Sequence, residues 1–476
     1  MNNTSIEELL STDGATEPVV SRRDFVKGGV SGAAAISLTA MASKASAQVA
    51  YTDDYGPIAP VNDDTTGLPL IALPEGFSYK TFGWRGQPMV DGNLTPGGHD
   101  GMGVVASKGS RIALVRNHEL TNSSIRMNCP AEYNPAVAGG TSNLIFDALS
   151  GQWIASYASL TGTIRNCAGG KTPWGSWLTC EETTATNNGY NHGWVFDIPG
   201  FGAATAQPIK AMGRFSHEAC AVDPVSDYIY ETEDARPSAF YQFRPNQPNN
   251  PSAGGSLYAL KVVGIDDFVF GDGSSYPSFA NGTSWDVEWV LADDPEALDG
   301  RVFNSAPGRA SFSRGEGCWY DSGKIFFVST DGGAARQGQV YVYDPRRETL
   351  TMIFESTGSS DIGNTTADNP DNIAVSPRGG ILMCEDGGSP CRLRGLTPTG
   401  GSFIFAENVI NLSAGDIAHA DFELNASGNI IDNVNPGNYV GQEWAGADFH
   451  NEWLFVNIQT PGITFAITGP WNKGAL

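Results

Sequence analysis

The chain is predicted to be all-β, a six-bladed β-propeller with loop insertions, and two observations carry that expectation. One is a degenerate unit that recurs six times along the sequence, since a fixed self-similarity is the signature of repeat-built folds. The other is composition: 58 Gly and 28 Pro among 476 residues, rich in aromatics and poor in charge, which suits many short strands joined by turns. Length alone leaves two or three domains open. The repeat favours one.

Each unit opens on a short polar or acidic element, usually followed at once by a small residue. The six openings are His99-Asp100-Gly101, Asn166-Cys167-Ala168, His217-Glu218-Ala219, Gly315-Glu316-Gly317, Asp371-Asn372-Ile373 and Gln442-Glu443-Trp444. Thirteen to seventeen residues later an apolar run ends in a second polar tip, among them Asn117-His118-Glu119, Cys180-Glu181-Glu182, Glu233-Asp234 and Glu385-Asp386. A further strand-like run follows each tip, such as Gln339-Val340-Tyr341-Val342-Tyr343. Unit starts lie 51 to 98 residues apart, near the spacing of a four-stranded propeller blade once insertions are allowed. The largest insertion, roughly Lys261 to Gly308, is expected to be a surface excursion, too poor in apolar residues for a core of its own. A pair of β-sandwich domains would not account for the regular spacing.

The spacing has a chemical consequence. In an antiparallel hairpin, the first residue of one strand and the last of the next lie side by side at one sheet edge. Each unit's opening and tip therefore meet, and in a propeller they converge on one channel mouth. That mouth would gather Asp100, Glu119, Glu181, Glu182, Glu218, Glu233, Asp234, Glu316, Asp331, Asp371, Glu385, Asp386 and Glu443. Crowded carboxylates repel one another and call for cations. Calcium is the first expectation on ligand number and flexibility, and iron is a candidate with a thiolate from Cys167 or Cys180. Arg314, two residues before Glu316, is placed either to grip a phosphate or carboxylate ligand or to balance the acids beside it. His118 and His217 are candidates for orienting ligands or for packing.

The first 47 residues have the anatomy of a removable leader. Ser21-Arg22-Arg23-Asp24-Phe25-Val26-Lys27 precedes 16 uncharged residues, and Ala45-Ser46-Ala47 offers a cleavage site before Gln48. The expectation is a twin-arginine signal peptide over 1–47 and a single domain over 48–476, exported by the twin-arginine translocase to the periplasm or beyond. The whole chain carries 28 basic against 52 acidic residues, net −24, a surface that disfavours nucleic acid and anionic lipid and suits cations. Seven cysteines include no C-x-x-C, which excludes a zinc ribbon. Cys384 and Cys391 flank a turn and are candidates for a disulfide. H-E-x-x-H, G-x-S-x-G, Walker and EF-hand patterns are all missing from the sequence.

At these same residues the sequence resembles the PhoX family of secreted alkaline phosphatases. The matching pieces include Asn117-His118-Glu119, Asn166-Cys167-Ala168-Gly169-Gly170, Thr179-Cys180-Glu181-Glu182, His217-Glu218-Ala219, Ser313-Arg314-Gly315-Glu316-Gly317-Cys318-Trp319 and Cys384-Glu385-Asp386-Gly387. Where the family carries Asp-Arg-Pro-Glu-Trp, this chain has Ser313-Arg314-Gly315-Glu316-Gly317. The resemblance implies an iron and calcium cluster at the mouth that hydrolyses small phosphate esters. It implies Glu181 and Glu316 as iron ligands, Arg314 as a phosphate-binding residue and Asn117 as a neighbour of the phosphoryl group. Glu119, Cys180, Glu182, Glu218, Asp234, Asp371, Asp386 and Glu443 complete the expected metal ligands. Two other readings stay open, a non-catalytic calcium-binding propeller and a calcium-dependent lactonase-like hydrolase.

Overall fold

Apolar runs four to eight residues long, rich in β-branched and aromatic side chains and bounded by glycine turns, form the strands that the repeat calls for. The computed structural model describes residues 54–265, 268, 279–358, 367–397, 400–424 and 434–476, together with the pair Glu17–Pro18. The expected leader otherwise lies outside the described residues. The fold is a propeller-like ring of antiparallel sheets. Its six innermost strands are β1 (His99–Lys108), β2 (Asn166–Lys171), β3 (His217–Val222), β4 (Gly315–Asp321), β5 (Pro370–Val375) and β6 (Trp444–His450). Each packs against the next, and β6 packs against β1, so the ring closes. Closure is reinforced from the sequence start: Ser78–Phe82 pairs with Ile463–Thr468 at the outer side of the last unit.

Every innermost strand pairs with the strand that follows it, and every pairing carries the same defect. The register advances three residues on the inner strand against two on its partner, for example His99 to Met102 against His118 to Arg116. The same step occurs in the other five units. Such a bulge inserts one residue and re-aims its side chain. The first bulged residue is Asp100, Cys167, Glu218, Glu316 and Asp371 in the first five units and Gly446 in the sixth. The small residues that follow are a packing requirement. A Cβ on Gly101 would lie 2.4 Å from Ala168 Cα, and one on Gly317 would lie 2.6 Å from the Ile373 amide nitrogen.

The units are not uniform. The second has three strands. The third and fourth are joined into one nine-stranded sheet because Ser284–Leu291 pairs with both Gly255–Val262 and Thr349–Glu355. The expected surface excursion thus supplies a strand and buries Phe268, Val302 and Phe303. A helix at Ala414–Leu424 departs from the all-strand expectation. Cys384 and Cys391 are both free thiols, and Cys391 Sγ donates to Gly388 O at 3.1 Å, so the candidate disulfide is not formed. Among the described residues no helix is long and apolar enough to cross a membrane.

Candidate metal centre

The hairpins meet at the mouth through a hydrogen bond repeated six times. The residue just before each innermost strand accepts a backbone bond from that unit's tip. The bonds run Glu119 N to Gly98 O (2.8 Å), Glu182 N to Arg165 O (2.8 Å), Asp234 N to Ser216 O (3.0 Å) and Thr330 N to Arg314 O (2.9 Å). They continue with Asp386 N to Asn369 O (3.0 Å) and Gln459 N to Glu443 O (3.1 Å). The mouth is therefore built from three equivalent positions per unit: a lip residue, a tip residue and the first bulged residue.

Carboxylates fill half of those positions, most of the tips and first bulged residues among them, and form a continuous arc. Donor atoms of Cys167, Glu182 and Glu218 lie within 4.8 Å of one another, as do those of Glu218, Glu316 and Asp371, and those of Asp371, Asp386 and Glu443. Asp100 joins the arc at its start, with Cys167 Sγ 3.4 Å from Asp100 Oδ2 and 3.0 Å from Glu218 Oε1. Glu119 accepts from Gln459 Nε2 and Arg165 Nε, both at 2.8 Å. Asp234 is held by Arg314 Nε and Nη2 at 2.8 and 3.1 Å. Arg314 Nη2 also lies 2.7 Å from Glu316 Oε1, without hydrogen-bond alignment.

Burial makes the arc electrostatically costly without cations. Removal from water, then repulsion from Glu316, Asp371, Glu182 and Asp100, raises the Glu218 carboxyl well above its ordinary range. Glu316 is raised in the same way by burial and then by Asp371 and Asp234, with Arg314 opposing. Burial, partly countered by Arg165 and reinforced by Glu119 and Asp234, pushes Glu182 up to about 9. The Cys167 thiol is raised by burial and then by Asp100 and Glu218. Glu218 Oε2 has no hydrogen-bond partner although Glu218 is only 1% exposed. An unpartnered buried oxygen amid acids that cannot share charge fits a metal ligand. The donor set suits oxygen-preferring ions along the arc and a softer transition ion beside Cys167.

A family model described as alkaline phosphatase PhoX matches residues 53–157 and 146–462. The chain belongs to the PhoX alkaline phosphatase family. As a member it is a phosphoesterase of the alkaline phosphatase type, from a family that depends on metal ions. The fold is similar to that of PhoX from Pseudomonas fluorescens, solved in complex with vanadate, a transition state analogue. Identity there is 17% and the TM-score 0.63, over 88% of this chain and 99% of that one. A Bacteroides thetaiotaomicron protein of unknown function (10% identity, 82% of this chain and 76% of that one, TM-score 0.42) is too distant to add to this. So is a gluconolactonase from Xanthomonas campestris (11% identity, 87% and 98%, TM-score 0.36). No curated protein matches the sequence.

Of the expected PhoX-type ligands, Glu119, Glu182, Glu218, Asp234, Glu316, Asp371, Asp386 and Glu443 come together at the mouth. Three expected site residues do not. Glu181 is turned away, because adjacent residues on a strand face opposite sides. Its carboxylate accepts from the Ile164, Gly193 and Trp194 amides at 2.8, 2.9 and 3.2 Å and sits 2.6 Å from His192 Nδ1. Cys180, one further residue back, packs in an apolar cluster with Val195, Met212 and Cys220. Asn117 lies opposite the first unit's bulge, and its amide is fully engaged. It donates to Cys167 O and Ala168 O at 3.0 and 2.7 Å and accepts from Trp177 Nε1 and Thr179 Oγ1 at 3.2 and 2.8 Å. Asn117 thus holds the backbone that presents Cys167. Both histidines are packed, with His118 between Gly97 O and Ser142 Oγ and His217 against Gly213 O.

Sequence reasoning missed Arg165 and Gln459. A signal for the first was present: Arg165-Asn166-Cys167-Ala168 repeats the layout of Arg314-Gly315-Glu316-Gly317.

Proposed function

We propose that this chain is an exported phosphomonoesterase whose mouth holds iron and calcium and whose Arg314 grips the phosphate of a small ester. The observation that carries the reading is the buried arc with Arg314 at its edge, its side chain 28% exposed and its guanidinium paired with two of the arc's acids. Cys167, Glu182 and Glu218, whose donor atoms lie within 4.8 Å of one another, would hold iron, with Glu316 joining them through its shared group with Glu218. Asp371, Asp386 and Glu443, with Asp100 and Glu119, would hold calcium through oxygen alone. When bound, such ions supply Lewis acidity toward phosphoryl oxygens.

The chain's own residues do the rest. Arg314 presents a planar fork to two phosphoryl oxygens and offsets charge as it builds on them. Asp234 and Glu316 fix the direction of that fork. Asn117 and the bulges fix where Cys167 and the acids point. The domain is proposed to span 48–476 after removal of a twin-arginine leader. Export through that pathway agrees with a centre that forms only in the folded ring.

The test is hydrolysis of a simple aryl phosphate by the metal-loaded mature chain, beside Arg314→Ala and Glu316→Ala. The account expects turnover that both substitutions abolish. Equal rates in all three would refute it. Calcium without iron in protein exported through its own leader would favour the non-catalytic or lactonase-like alternatives.

A further inference from the structure

Arg314 has a counterpart two units away. Arg165 and Arg314 each stand immediately before an innermost strand, in left-handed backbone with φ of 51° and 48°. Each amide donates to the carbonyl just past the preceding unit's tip, Arg165 N to Leu120 O at 3.0 Å and Arg314 N to Ala235 O at 2.9 Å. Each guanidinium spans two acids, one from the preceding unit and one from its own. Arg165 pairs with Glu119 at 2.8 Å and with Glu182, as Arg314 pairs with Asp234 and Glu316. Between them lies the third unit, whose Glu218 keeps Oε2 without a partner. The mouth thus runs Arg165, Glu182, Glu218, Glu316, Arg314, with an unpartnered buried oxygen at its centre.

Stability does not account for Arg165. Left-handed backbone costs a non-glycine residue about 1 to 2 kcal/mol. Gly98 removes that cost at the same position of the first unit, with φ 57°. The Arg165 side chain is 45% exposed, against 17% for Glu119 and 9% for Glu182, so its two ion pairs are partly screened by solvent and offset that cost only in part. A guanidinium has five N–H donors, so two carboxylate contacts leave donors for a further acceptor.

We propose that Arg165 is a second anion-binding residue, which together with Arg314 grips the phosphoryl oxygens of a phosphomonoester seated over Glu218. This role rests on the phosphatase reading for its substrate. Two arms on opposite sides of one tetrahedral dianion would fix its orientation as well as its affinity.

The experiment is calorimetric titration of the metal-loaded mature chain with inorganic phosphate, beside KM for an aryl phosphate, in Arg165→Gln, Arg165→Lys, Arg314→Gln and the Arg165→Gln/Arg314→Gln double variant. Loss of a charge-assisted hydrogen bond predicts phosphate binding weakened about tenfold or more in Arg165→Gln, with KM raised alike. Metal content and unfolding midpoint should be unchanged, and Arg165→Lys should regain part of the affinity. The double variant should lose less than the product of the single losses, because both arms hold one anion. Wild-type phosphate affinity in Arg165→Gln would overturn the proposal. So would an affinity loss that follows metal content in both Arg165 variants, which would make Arg165 only a positioning residue for Glu182. A wild-type chain that binds phosphate with Arg165-dependent affinity but hydrolyses no ester would refute the phosphatase reading and leave the two-armed grip standing.

Discussion

Glu181 and Glu182 are neighbours in sequence with opposite roles, and substituting each to alanine separates structure from chemistry. Removing the Glu181 carboxylate leaves three amide N–H groups and His192 Nδ1 without their acceptor in a site that is 0% exposed. Each buried donor so abandoned costs about 1 to 3 kcal/mol, and partial relaxation brings the expected total to about 3 to 5 kcal/mol. Glu182 has a different environment. Its carboxyl is raised to about 9 by burial and by Glu119 and Asp234, so in metal-free protein its removal relieves crowding. Metal-free Glu182→Ala should unfold at the wild-type urea concentration or above it, and should fail to bind its full metal complement. Glu181→Ala should unfold at a clearly lower concentration while retaining the metal it can hold when folded. Urea denaturation of both variants without metal, with elemental analysis of the loaded proteins, is the assay. A Glu181→Ala protein of wild-type stability that has lost metal would refute the assignment.

The pH dependence of the metal-free protein carries a definite sign. Glu182 has a folded-state value of about 9 against an ordinary 4.5. Its contribution is therefore fully present below about pH 4.5 and is lost as pH rises through about 9. Denaturation midpoints of the metal-free chain should fall between those limits, and saturating calcium should reverse the trend; a rising midpoint without metal would contradict the account. Asn117→Ala removes four hydrogen bonds around the second unit's bulge and should destabilise the chain by about 2 to 4 kcal/mol in urea unfolding. Its stability should not match the wild type. Gly317→Ala places a Cβ 2.6 Å from the Ile373 amide and 2.7 Å from Asp371 O, so thermal unfolding should show a loss of about 1 to 3 kcal/mol from overpacking.

The phase of the mouth was readable because hairpin geometry fixes which residues share a sheet edge. Glu119, Glu182, Asp234 and Asp386 are the tips, and Glu218, Glu316 and Asp371 are first bulged residues, all taken from spacing alone. Three things were not readable. A bulge adds a residue without any residue type that marks it, so the neighbours of each tip were not resolved from the tip itself. The resemblance implies Glu181 as a ligand and Cys180 is a candidate thiolate at the same tip, but alternation turns Glu181 away from the mouth and Cys180 packs in the core. Asn117 was placed by resemblance, and only its four side-chain bonds reveal a backbone clasp. The insertion before Gly308 forms no core of its own, and the strand within it, Ser284–Leu291, is not legible from its residues because its pairing partners lie in the third and fourth units on either side.

The central claim is that the arc around Glu218 is a metal centre serving phosphate-ester hydrolysis, with its transition ion beside Cys167. Anomalous diffraction at the iron edge, from crystals of protein exported through its own leader, tests it most directly. The account predicts an iron peak in contact with Cys167 Sγ and the carboxylates of Glu182 and Glu218. A peak between Cys180 and Glu181, or none at the mouth of a catalytically active protein, would contradict it.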